Sequence, residues 1–144
     1  MTSNQRIFLS FILFLFFSGM AHAQTTQWLS YEETLKRAQE EDKLIYLYFY
    51  SERCPWCVRM DHDVLNTKEV GSYLNEHFLS ARIRVEEAPQ LANLYRVRGF
   101  PTHIFLREKA AGILVSRPGY IPDGSFLRML QFIQAEKEKN DSSK

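Results

Sequence analysis

Seven apolar and aromatic residues, Leu44–Tyr50 (LIYLYFY), run without polar interruption and are followed, after Ser51-Glu52-Arg53, by Cys54-Pro55-Trp56-Cys57. A run of that length with no alternation predicts a strand buried on both faces, in the middle of a mostly parallel sheet. The pair at its end contains the only two cysteines of the chain. At 144 residues the chain has room for one ordinary domain. Its 45% hydrophobic and 24% charged content suits a soluble globular protein rather than a disordered one. The net charge is +1, with neither a basic excess that would point to nucleic acid nor an acidic tail.

The elements around this strand can be placed from pattern. Ser30 and Glu33 have capping-box spacing, which predicts a helix from Tyr31 to about Asp42. After the cysteines, Cys57, Met60, Asp61, Val64 and Leu65 occupy neighbouring helical positions, so a helix starts at the motif. Asn66-Thr67 interrupts it, and Val70, Tyr73, Leu74 and Phe78 resume helical spacing. In LSARIRVEE, Ala81, Ile83 and Val85 alternate with Ser80, Arg82 and Arg84, as in a strand. Pro89 suits the first turn of a short helix. A strand over His103–Leu106, a turn at KAAG (residues 109–112) and a strand in ILVSRPG (113–119) follow. A closing helix in DGSFLRMLQFIQAEK (123–137) turns Phe126, Met129, Leu130 and Ile133 inward, and residues 138–144 are expected to be a disordered tail. Trp28 is expected to pack on the sheet. Alternating helices and strands, then a hairpin, predict an α/β domain over residues 24–137 with a mixed sheet covered by helices.

The N-terminus reads differently. Ile7–Met20 is an apolar run, preceded by one arginine and no acid and followed by Ala21-His22-Ala23. Small residues at the two positions a signal peptidase inspects predict a secretory signal peptide over residues 1–23, cleaved before Gln24. The alternative is an uncleaved membrane anchor, but ~20 apolar residues are needed to span a bilayer and this run is shorter. Export places the cysteines in an oxidising compartment, and no stable membrane insertion is expected after cleavage.

Several chemistries use cysteines two residues apart. Structural zinc needs four ligands, and His62, five residues beyond Cys57, is turned away from its helical face. A c-type haem needs histidine directly after the second cysteine, where Val58 stands. A structural staple across so short a loop removes little unfolded-state entropy. Redox chemistry remains. Cys54 takes the helix N-terminus, where unpaired N–H groups and the helix dipole favour thiolate. Arg53 adds to that effect and Glu52 opposes it. Cys57, one turn in, is more buried and acts second. Trp56 is expected to contact substrate, because a large ring beside an exposed nucleophile otherwise costs solubility.

The chain resembles the thioredoxin superfamily from about Trp28 to Ile133. The matches are the strand ending at CPWC (54–57), VRGFPT at 97–102, Pro89 opening the short helix, and Gly119 after the last strand. The stretch CPWCVRMDHDVLNTKEVGSYLNEHFL (54–79) is most similar to the exported branch, the SoxW-like thioredoxins and the C-terminal domain of DsbD. The resemblance implies a thioredoxin fold, a central mixed sheet flanked by helices. It also implies that Pro101 is a cis-proline packed against the cysteines and that the backbone of Phe100 pairs with an extended substrate. The family buries an acid on the central strand under the second cysteine, with a partner lysine on the next strand. Here Tyr48 and Arg82 stand at those positions. A phenol with pKa near ~10 is no base at neutral pH, and arginine does not release its proton. Water or the departing thiolate is then left to deprotonate Cys57.

The function expected from these readings is an exported, periplasmic thiol–disulfide oxidoreductase that reduces protein disulfides. Cys54 attacks, Cys57 resolves the mixed disulfide, and Trp56, Phe100 and Pro101 contact substrate. No metal or other cofactor is needed. Electrons are expected from a membrane reductase of the DsbD type. Two alternatives are an oxidant or isomerase of the DsbA type, since the direction depends on a potential that sequence does not encode, and a non-catalytic binding module on the same fold.

Overall fold

A computed structural model describes residues 25–143. The signal peptide expected over residues 1–23 and its cleavage before Gln24 lie outside the described residues. The central element is β2 (Leu44–Tyr50), with the span expected from its sequence. Its side chains alternate between two cores. Leu44, Tyr46 and Tyr48 enter one, with Met60, Val64, Leu74, Phe105 and Phe126. Ile45, Leu47 and Phe49 enter the other, with Leu79, Ala81, Ile83 and Ile104. Each large apolar side chain fully removed from water contributes ~1.5–3 kcal/mol of transfer free energy, so this strand anchors both halves of the domain.

The other elements arrange themselves around it. In chain order they are β1 (Trp28–Leu29), α1 (Tyr31–Arg37), β2, α2 (Pro55–Met60), α3 (Lys68–His77), β3 (Phe78–Arg84), α4 (Pro89–Leu94), β4 (Thr102–Leu106), β5 (Ile113–Pro118) and α5 (Asp123–Asp141). The sheet order is β1-β3-β2-β4-β5. β3 runs parallel to both β1 and β2, whereas β4 is antiparallel to β2 and β5. The register sets Tyr48 beside Arg82 on β3 and His103 on β4. The cysteine motif therefore leaves the sheet at the C-terminal end of its most buried strand.

Local signals explain most boundaries. The Ser30 hydroxyl accepts from the Glu33 N–H at 3.1 Å and caps α1. That helix ends at Arg37 rather than near Asp42, because the chain tightens through Gln39 N–H to Lys36 O and Glu40 N–H to Arg37 O. The expected break at Asn66-Thr67 is present, but the residues before it form a π-helical turn, Asp61–Leu65, which the Asn66 N–H closes onto the Asp61 carbonyl at 3.0 Å. Trp28 packs against Tyr46 and Tyr48, with ring centroids 5.9 and 5.8 Å away, and it sits on β1, a two-residue strand too short to show in the sequence pattern. The segment 138–144 is not a disordered tail throughout, since α5 continues to Asp141. Lys137 there reaches Asp42 at 3.0 Å and Asp141 at 2.8 Å, and Gln134 donates to Glu138 at 3.1 Å. Such i,i+4 pairs on good helix formers extend the helix beyond its apolar face.

Candidate active site

Cys54 is the N-cap residue of α2 and Pro55 opens its first turn. Proline costs nothing there, because an N–H at that position would have no helical partner. Cys54 and Cys57 are joined as a disulfide. Their surroundings differ: Cys54 is half-buried, whereas Cys57 is 1% exposed. The Cys57 N–H points at the Cys54 sulfur at 3.1 Å. A backbone donor aimed at Sγ stabilises negative charge on it. Glu52, which would oppose that charge, is engaged by the Arg84 guanidinium.

A groove opens beside the pair. Trp56, Phe100, Gly119 and Tyr120 line about 330 Å³. Trp56 is 54% exposed, and its ring lies 5.7 Å from that of Tyr120. The Arg59 guanidinium sits over both, 5.5 Å from Trp56 and 5.1 Å from Tyr120. The Phe100–Pro101 peptide bond is cis. Pro101 is buried, and its carbonyl accepts the Gly119 N–H at 2.7 Å. Gly119 has φ +94°, a conformation that favours glycine. Trp56 and Phe100 thus come together on one groove, with Pro101 bonded to its Gly119 wall.

Two buried groups stand behind this surface. His103 is fully buried between Tyr46 and Gly119. Its Nε2 lies 3.2 Å from the Gly119 carbonyl, which can only accept, so Nε2 carries the proton. Nδ1 then accepts from the Tyr46 hydroxyl at 2.8 Å. Burial pushes the His103 imidazole down to about 4. Its neutral form ties β2 to the turn that carries Gly119.

Tyr48 is the second group. It lies under Cys57, as the resemblance implies, and its hydroxyl donates to the Cys57 carbonyl at 3.3 Å. Burial raises its phenol, so it stays protonated. The strand therefore supplies no base. An acid arrives instead from the helix. Asp61, one turn beyond Cys57, is half-buried, forms an ion pair with Arg82 and faces the Tyr48 hydroxyl. Burial raises its carboxyl, against the lowering pull of Arg82 and of the Tyr48 hydroxyl. Sequence reasoning put Asp61 on the face of Cys57 yet gave it no part in the site. The four-residue spacing from Cys57, with Arg82 opposite Tyr48, was the available signal. His62, by contrast, is 87% exposed and paired with Asp63 at 2.8 Å.

Comparison with known proteins agrees with this geometry. Residues 31–134 match the family described as "Thioredoxin-like domain". The disulfide bond reductase DsbH of Chlamydia pneumoniae is 31% identical over 114 residues, 71% of this chain and 68% of that protein. A thioredoxin from Thermus thermophilus superposes with a TM-score of 0.69 at 34% identity, covering 76% of this chain and 87% of that one. The structure of a DsbH oxidoreductase shares the fold, with a TM-score of 0.67 at 21% identity over 74% of this chain and 83% of that one. These matches support the superfamily but not the narrower SoxW-like or DsbD-like placement. Among the described residues no helix is long and apolar enough to cross a membrane. The chain belongs to the thioredoxin-like family and, with its Cys54–Cys57 pair, is a thiol–disulfide oxidoreductase.

Proposed function

We propose that this protein works as an exported, periplasmic reductant of protein disulfides. The observation that carries the roles is the asymmetry of the pair: a half-exposed Cys54 at the helix end and a Cys57 shielded beneath it. Cys54 thiolate attacks a substrate disulfide and forms a mixed disulfide, releasing the first substrate sulfur as thiolate. Cys57 then attacks Cys54 Sγ, the substrate's second sulfur leaves, and the Cys54–Cys57 bond forms. Two electrons have moved from the pair to the substrate. Trp56 and Phe100 offer the apolar contact, and the backbone beside Pro101 offers the edge on which an extended segment is held. The relative named as a disulfide bond reductase supports the reducing direction. The apolar run Ile7–Met20 and Ala21-His22-Ala23 support export. A membrane reductase of the DsbD type re-reduces the pair.

The test of direction is the equilibrium of purified protein, begun at Gln24, with glutathione redox buffers. A potential nearer thioredoxin at about −270 mV than DsbA at about −120 mV supports a reductant. A value near the DsbA end makes it an oxidant.

A further inference from the structure

We propose that Asp61 is the proton acceptor for Cys57, replacing the acid that the central strand lacks, and that Arg82 and Tyr48 hold it in place. The proposal rests on the roles assigned above to Cys54 and Cys57. Three elements converge on one point below the second cysteine. Asp61 opens the π-helical turn, and its own N–H donates to the Cys57 carbonyl, so the two residues are stacked one turn apart. Side chains at that spacing have Cβ atoms about 5–6 Å apart, a separation that one bridging water spans. Tyr48, from β2, donates to the same Cys57 carbonyl. Arg82, from β3, pairs with the Asp61 carboxylate while its guanidinium lies 4.2 Å from the Tyr50 ring centroid and 5.9 Å from that of Tyr48. π-Turns of this kind recur at functional sites.

The electrostatic company of Asp61 suits a base that cycles. Tyr48 faces it from β2, and Arg82 faces it from β3, whereas the Tyr46 hydroxyl is turned to His103. On α5, Asp123 accepts from the Thr67 hydroxyl at 3.5 Å, beyond the far end of the turn. Burial gives Asp61 affinity for a proton, while the Arg82 cation and the Tyr48 hydroxyl favour its ionised form. In the resolving step the Cys57 thiol proton passes to the Asp61 carboxylate, and the Cys57 thiolate attacks Cys54 Sγ. The Cys54–Cys57 bond forms as the Cys54–substrate bond breaks. The departing substrate thiolate takes the proton back from Asp61, so no charge accumulates and no further reactant is needed.

Reduced protein mixed with an aromatic disulfide, 5,5′-dithiobis(2-nitrobenzoate), separates the two steps by stopped flow. Attack by Cys54 releases one thionitrobenzoate, and resolution by Cys57 releases the second. Asp61→Asn should leave the first phase within about two-fold of wild type and slow the second about ten-fold or more near pH 6.5, a loss typical of a missing general base. The deficit should shrink as pH rises and hydroxide takes over. Asp61→Glu should restore much of the rate. Arg82→Met retains the carboxylate without its cation, and should move the second-phase pH profile upward rather than abolish it. The proposal fails if Asp61→Asn slows the second phase equally at every pH, slows both phases together, or slows neither. It also fails if Asp61→Asn is unfolded and the Arg82→Met profile is unshifted. Cys57→Ser should show only the first phase and Cys54→Ser no fast phase. A fast phase in Cys54→Ser would instead overturn the roles of the cysteines.

Discussion

Acidification should destabilise this protein through His103. Its imidazole is 0% exposed, gives Nε2–H to the Gly119 carbonyl and takes the Tyr46 hydroxyl on Nδ1. A second proton would set Nδ1–H against that hydroxyl in a fully buried site. Burial accordingly pushes the folded pKa down to about 4 from the ordinary 6.5. As pH falls, the unfolded chain protonates first. The stability contributed by neutral His103 is whole above the unfolded value and is lost as pH descends from 6.5 toward 4. Between pH 7.5 and 4.5 the loss amounts to about 2–3 kcal/mol, since each unit of displaced titration is worth ~1.4 kcal/mol. The assay is equilibrium urea unfolding of the oxidised protein at both pH values, for wild type and for His103→Phe. The variant should be weaker at pH 7.5, because the Gly119 carbonyl loses a donor at a cost of about 1–3 kcal/mol. Its further loss at pH 4.5 should be about 2–3 kcal/mol smaller than that of wild type. Equal pH losses in the two proteins would refute the assignment of a neutral, buried His103.

Other outcomes are expected from the same structure. Phe126→Ala empties a fully buried site against Tyr46, His103 and Phe105 and should cost about 3–5 kcal/mol in urea unfolding. Trp56→Ala removes the exposed wall that packs against Tyr120 and Arg59. It should raise KM for a protein disulfide several-fold with kcat little changed, and an unaltered KM would take Trp56 out of the substrate contact. Mass spectrometry of the exported protein should find Gln24 at its N-terminus, whereas a retained Met1 in a membrane fraction would show an anchor.

The parts of the fold legible in the sequence are those fixed by local chemistry. Leu44–Tyr50 declares a doubly covered strand because no polar residue interrupts it. Ser30 caps α1 through its own hydroxyl, and Asn66-Thr67 breaks the second helix. Cys54 and Pro55 take the N-cap and first-turn positions their chemistry favours. What escaped depends on distant partners or on charge. The two-residue strand β1 exists because β3 is there to pair with it. α5 persists to Asp141 through ion pairs rather than apolar periodicity. The site divides along the same line. The cysteines and the groove residues Trp56 and Phe100 are readable from motif, but the pairing of Asp61 with Arg82 requires the register of β3 beside β2. The Tyr46–His103 hydrogen bond likewise joins residues on neighbouring strands 57 positions apart in sequence.

The central claim is that a half-exposed Cys54 begins the exchange and a buried Cys57 completes it. Trapping tests it most directly. Cys57→Ser and Cys54→Ser proteins are exported in cells, thiols are blocked with acid and alkylating agent, and mixed disulfides are resolved on non-reducing gels. Cys57→Ser should accumulate adducts with protein substrates that vanish on reduction, because the resolving thiol is gone. Cys54→Ser should accumulate few. Adducts on Cys54→Ser and none on Cys57→Ser would reverse the roles, and adducts on neither would contradict a mixed-disulfide mechanism altogether.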